Sequence, residues 1–152
     1  MERVEDKMMT SYEYLLARAD EDLIVKELDL KGNDGLIHGH RIAIKKSLST
    51  IEKTCVLAEE LGHYQTTVGD ILDQSDANNR KQEHRARVWA YNEVIGLHGL
   101  VQAYQAGCKN RYETAAYLEV TEAFLQEAID YYTSKYGVYV DTDNYRVQFI
   151  PC

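Results

Sequence analysis

The stretch Cys55-Val56-Leu57-Ala58-Glu59-Glu60-Leu61-Gly62-His63-Tyr64 decides how the rest of the chain is read. Ser49 and Glu52 precede it at the spacing of a capping box, in which each side chain satisfies a backbone donor at a helix start. The pattern predicts a helix over about 50–64, with Ile51, Cys55, Ala58 and Gly62 along one side. On such a helix Glu59 and His63 are four residues apart and share a face, one turn from each other. Two ligands so placed can serve one metal ion. Glu60 is rotated by about 100° from Glu59, so it flanks the ion position and is placed to receive a proton from a water there. The spacing is that of the HExxH zinc motif with Glu at the first ligand position, EExxH. The alternative is a solvated acidic face that ends in a His complementing the helix dipole.

A second segment bears on that choice. Glu83 is followed by Ala86, Ala90 and Val94, a stripe of small apolar residues that should face inward on a helix over about 79–95. A carboxylate on a buried stripe is costly unless it is paired or coordinated. Glu83 lies twenty residues after His63, across one polar loop expected over 66–78, where a third ligand on a neighbouring helix would fall. Three protein ligands plus one water make the open arrangement of a catalytic zinc site. Glu83 could instead be a first-turn carboxylate, or be paired with Arg80 or Arg87.

These two segments together carry a resemblance. The run 59–64, followed by Gln82-Glu83-His84-Arg85-Ala86-Arg87-Val88-Trp89-Ala90-Tyr91, resembles the ImmA/IrrE metallopeptidases, whose usual pattern is HELGH, a loop, then E-x-x-A-x-x-(F/W)-A. The upstream Gly35-Leu36-Ile37 and Arg41-Ile42-Ala43-Ile44-Lys45 look like that family's hairpin before the active-site helix, and the likeness covers roughly residues 10–95. It implies a zincin-like, gluzincin-type endopeptidase that cleaves a phage-type helix-turn-helix repressor, lifting lysogenic or mobile-element repression. By position, Glu59 stands at the first metal ligand, Glu60 at the general base, His63 at the second ligand and Glu83 at the third. The resemblance implies Zn²⁺; the departure is Glu59, since a carboxylate in place of an imidazole gives a Glu2His set and moves preference toward harder ions, which makes Mn²⁺ the alternative. The rival function is a non-catalytic anti-repressor that binds and sequesters the repressor. In the family's hydrolysis the ion polarises the carbonyl while Glu60 moves the proton, and the hairpin over 36–44 is the edge that would align substrate by backbone pairing.

Composition narrows the remaining classes. The 152 residues are 45% hydrophobic and 28% charged, enough apolar material for a core. A formal net charge of −8 opposes non-specific nucleic-acid binding, which needs surplus Lys and Arg to displace counterions. No apolar run approaches the roughly 20 residues of a membrane-spanning helix, and the first twenty residues mix charges through any apolar stretch, so neither membrane insertion nor a signal peptide is expected. Cys55, Cys108 and Cys152 are odd in number and widely spaced, which suits a reducing, cytoplasmic setting.

The expected fold is α+β. A zincin-like domain with a small sheet occupies residues 1–95, and a helical C-terminal region over 96–152 closes with a hairpin. Around the central helix, a helix is predicted over 12–19, a strand over 23–30, a turn at Gly32-Asn33-Asp34-Gly35 and a strand pair over 36–44. Helices over 98–106, 110–118 and 122–136 and a hairpin from Val138 to Ile150 complete the reading. The segment 112–125 has the rhythm of a helix-turn-helix, with Ala115, Leu118 and Val120 at packing positions and Glu119 where that motif prefers Gly. Its second helix carries Glu122, Glu127 and Asp130, a face that repels phosphate and better suits a basic repressor partner. His38 and His40 flank Gly39 and are read as turn residues rather than ligands, His84 as surface, and Trp89 as packing.

Overall fold

The computed structural model describes residues 9–66 and 76–149, with the backbone alone at 76–78. The described residues form six helices and two small sheets, a mixed α+β architecture. In chain order these are α1 (Ser11–Arg18), β1 (Ile24–Leu28), β2 (Gly35–His38), β3 (Arg41–Lys45), α2 (Thr50–Thr66), α3 (Asp76–Val94), α4 (Gly96–Gln105), α5 (Arg111–Leu118), α6 (Glu122–Tyr136), β4 (Tyr139–Asp141) and β5 (Arg146–Gln148). The chain divides into two compact units, residues 1–90 and 91–152. Among the described residues no helix is long and apolar enough to cross a membrane.

The first unit is built on β3. This strand lies between β1, to which it runs parallel, and β2, to which it runs antiparallel, with Ile37 opposite Ile42. Its side chains alternate, so that Ile42 and Ile44 point into the core. Against them α2 lays Leu57, Ala58 and Leu61, and α1 adds Tyr12 and Leu15. Both helices start on the capping boxes their sequences offer. In α2, the Ser49 N–H donates to Glu52 Oε1 at 2.9 Å while the Glu52 N–H donates to Ser49 Oγ at 3.1 Å. Thr10 and Glu13 do the same for α1.

Helix α3 begins at Asp76, three residues earlier than its hydrophobic stripe suggests, because the polar start Asp76-Ala77-Asn78 carries no periodicity to read. The rest of the loop expected over 66–78 lies outside the described residues, apart from Thr66, which closes α2. Ala86 and Ala90 are fully buried as the stripe requires. Where α3 meets α2, Gly62 sits against the backbone of Ala86 so closely that a Cβ at position 62 would collide with the Ala86 carbonyl. The two helices touch backbone to backbone there.

The second unit packs Ala103 of α4, Ala115 and Leu118 of α5, and Phe124, Leu125, Ala128 and Tyr132 of α6 into one core. Asn110 and Thr121 cap α5 and α6, each side chain accepting a bond from the N–H three residues on. Between them Glu119 takes the left-handed conformation at φ 61°, the position the sequence pattern marks as a turn. Tyr132 is buried with its hydroxyl donating to Asn92 Oδ1 at 2.9 Å, and Tyr136 stacks on Phe149 beside it. The closing hairpin forms as β4 and β5, two short antiparallel strands; Ile150 lies outside the described residues.

The Gly62–Ala86 contact gives a prediction of unusual sign. Gly→Ala inside a helix ordinarily stabilises by roughly 0.5–1 kcal/mol, yet here the added methyl must push two backbones apart. Gly62→Ala is expected to destabilise the protein by about 1–3 kcal/mol, read by chemical denaturation. A gain in stability would mean that the helices do not approach as described.

Candidate functional site

The site lies in the first unit, on the side of α2 that faces β2 and α3. Burial of Leu57, Ala58, Leu61 and Gly62 fixes the rotation of α2, which leaves Glu59, Glu60 and His63 half-buried at the margin of the core. On α3, burial of Ala86 likewise fixes Glu83 one turn earlier. Because Gly62 and Ala86 are in contact, the next residue on α2 and the preceding turn of α3 come into register. His63 Nε2 stands 3.1 Å from Glu83 Oε2.

Glu83 is not buried as its stripe suggests. Its side chain is 51% exposed, against 22% for His63. The carboxylate reaches outward from the first turns of α3 to the imidazole, so the pairing, not burial, accounts for its position. Its described partner is His63 rather than Arg80 or Arg87.

Glu60 occupies the interior end of the group. Its carboxyl is pushed up to about 7, first by burial and then by the neighbouring charges of Glu59 and Glu83. Glu83 thus meets His63 directly, and the charges of Glu59 and Glu83 both act on Glu60. The roof over Glu60 is β2: a Cβ built on Gly35 would stand 2.9 Å from Glu60 Oε2 and 3.2 Å from its Cγ. The absence of a side chain at position 35 lets the β2 backbone lie directly against the acid. Sequence patterning places Gly35 in a turn and gives no sign of this apposition, which depends on how the sheet seats on α2.

The four singled-out residues thus gather in one place, but not as a closed ligand set. Among the described residues no group of three or more His, Cys, Asp and Glu side chains is arranged so that it could hold a metal ion. His63 and Glu83 are together, and Glu59 is near enough for its charge to act on Glu60. The donor types suit a divalent cation: an imidazole with carboxylates, whose mutual repulsion a cation would relieve. Elsewhere, His38 and His40 are exposed at the β2–β3 turn, where Gly39 has φ +61°, and His40 Nδ1 lies 3.3 Å from the Tyr64 hydroxyl. His84 is exposed, and Trp89 is half-buried.

Comparison with known families gives one match, to the model Peptidase_M78, the IrrE N-terminal-like domain, over residues 17–130. It runs beyond the segment 10–95 that carries the sequence resemblance, through α4 and α5 and into α6. Comparisons with curated proteins and with solved structures give no match. Since the matched region takes in most of the chain, together with β2, α2 and α3, the protein belongs to the ImmA/IrrE family, as a bearer of its IrrE N-terminal-like peptidase domain.

Proposed function

We propose that the protein is a metal-dependent endopeptidase whose substrate is a helix-turn-helix repressor of phage type, and that cleavage lifts repression. The observation that carries this reading is the meeting of His63 and Glu83 from two helices, beside a half-buried Glu60 that lies under edge strand β2. Glu59, His63 and Glu83 would hold the ion, Zn²⁺ in the first instance and Mn²⁺ as the alternative. A divalent cation there supplies Lewis acidity toward a scissile carbonyl and an attacking water.

The remaining work falls to the chain. A substrate segment pairs with β2, an edge strand among the described residues, and is held extended across Glu60. Glu60 takes the proton of the attacking water and delivers it to the leaving amine, a role suited to a carboxyl whose affinity for a proton is raised toward neutrality. His63 is oriented by Glu83 through the 3.1 Å contact. The acidic residues of α6, Glu122, Glu127 and Asp130, suit a basic partner, although Glu122 is also paired with Arg111.

Two observations favour the rival reading, a non-catalytic anti-repressor that sequesters its target. Glu59 replaces the family's first imidazole, and the described side chains do not close into a three-ligand cluster. The two readings separate on Glu60→Gln, which preserves shape and removes the base. Under the enzymatic reading, repressor cleavage falls by at least about 10²-fold, while metal content measured by elemental analysis stays at the wild-type level; His63→Ala and Glu83→Ala lose the metal. Derepression that persists undiminished in Glu60→Gln and His63→Ala would establish sequestration instead.

The same substitution has a second readout, in stability. With Glu60 raised to about 7 in the fold, the metal-free folded protein keeps a proton that the unfolded chain releases near 4.5. Stability from this group is therefore full below the unfolded value and is lost as pH rises through 7. Discounted for residual solvent contact, the loss is about 1–3 kcal/mol. Chelator-treated wild type should weaken relative to Glu60→Gln between pH 5 and pH 8. A difference that does not change with pH would contradict the buried, repelled state of this carboxyl.

A further inference from the structure

The second unit contains a cavity of about 550 Å³, open to solvent. Leu100 and Val101 of α4, Leu125 and Ile129 of α6, and Val147 and Phe149 at the C-terminal hairpin supply apolar walls. Its volume and lining are those of sites for small organic molecules, which pair an apolar body with a few polar groups that set orientation.

The charged lining is one-sided. Residues 91–152 carry eight Asp and Glu against four Lys and Arg. Yet two of those four cations, Arg111 and Arg146, line the cavity, and among the described residues no carboxylate does. Their partners, Glu122 and Asp141, stand off the wall. Each pairing is incomplete. Arg111 uses Nε on Glu122 and Nη1 on Gln126, and Arg146 uses Nε and Nη2 on Asp141. A guanidinium has five N–H donors, so both retain donors for another acceptor.

The aromatic lining adds a second signal. Tyr104 is 71% exposed, a large ring left in water, and meets Tyr145 edge to face at 6.4 Å. Both line the cavity. Gln105 Nε2 donates to the Tyr145 hydroxyl at 2.7 Å and holds that ring in place. Such a pair offers a face on which a flat ligand would stack.

We infer that this cavity binds an organic anion with an apolar, aromatic body. Its ring lies among Leu100, Val101, Ile129 and Phe149 against the tyrosine pair, and its anionic group lies at Arg111 and Arg146. The site belongs wholly to residues 91–152 and does not depend on the peptidase reading.

The test uses two fluorescent probes on the full chain: 8-anilinonaphthalene-1-sulfonate, an aromatic anion, and N-phenyl-1-naphthylamine, its neutral counterpart. The sulfonate should bind saturably at one site per chain. Arg111→Gln and Arg146→Gln, on separate elements, should each weaken it at least fivefold and leave the neutral probe within twofold. Val101→Trp, which fills the cavity, should abolish binding of both, with near-ultraviolet circular dichroism verifying that each variant is folded. Non-saturable sulfonate binding, undiminished binding in Val101→Trp, or an unchanged sulfonate affinity in folded Arg→Gln variants would overturn the inference.

Discussion

The candidate site depends on a single steric constraint, the backbone approach of α2 to α3 at Gly62 and Ala86. Neither residue bears a chemical group, yet their contact determines what the chemical residues can do. With a larger residue at position 62 the helices would stand further apart, and His63 and Glu83 would lose their 3.1 Å contact. Close packing transmits such shifts because an interior has no slack to absorb them. The small residues of the E-x-x-A stretch and the Gly before His63 therefore position the site.

That approach also creates the site's electrostatic problem. It sets Glu83 against His63 and brings the charges of Glu59 and Glu83 to bear on half-buried Glu60, at the edge of a core where water is partly excluded. Mutual repulsion and burial act in the same direction on Glu60, so the fold keeps a proton there near neutral pH when no cation is present. A proton and a divalent cation are alternative remedies for the same excess of negative charge. In the proposed ligand set, Glu59 makes the excess larger than an imidazole would, which strengthens the demand for a cation and favours a harder one. The substitution that weakens the motif's likeness to HExxH thus need not remove its affinity for metal.

What could be read in advance was local. The Ser49–Glu52 box, the helix side of Ile51, Cys55, Ala58 and Gly62 and the closing hairpin are short-range patterns; the box and the hairpin form as read and the side is buried from Cys55 onward, while Ile51 is exposed and Gly35, read as a turn residue, opens β2. The EExxH spacing and the Glu83 stripe likewise fix which faces carry the acids. Legibility ends where a contact depends on the seating of one element upon another. Gly35 over Glu60 is such a contact, because nothing in Gly-Leu-Ile-His says which residue of the strand will stand above α2. Glu83 is exposed although it shares a stripe with buried Ala86, since the first turns of α3 lie at the margin of the core. The cavity of the second unit is equally illegible in the sequence: its lining comes from α4, α5, α6 and β5, and the placing of Arg111 and Arg146 on one cavity is made by their assembly.

The two edges of the three-stranded sheet differ in a way that bears on function. An exposed edge invites pairing with other chains, and proteins blunt it with charges or cover it. Edge strand β1 carries Lys26 and Glu27, both exposed, and Glu27 is tied to Lys53 at 2.9 Å and to the Tyr12 hydroxyl at 2.8 Å. Edge strand β2 reads Gly-Leu-Ile-His, with Leu36 46% exposed and no Lys, Arg, Asp or Glu. Its protection is brevity, four residues in all. Stability alone would favour charging β2 in the same manner as β1. An uncharged edge beside Glu60 is what substrate pairing requires, since the backbone donors and acceptors there must remain available to an incoming chain. The asymmetry of the sheet and the position of Gly35 thus fit the proposed role of β2 as the strand that pairs with a substrate beside Glu60.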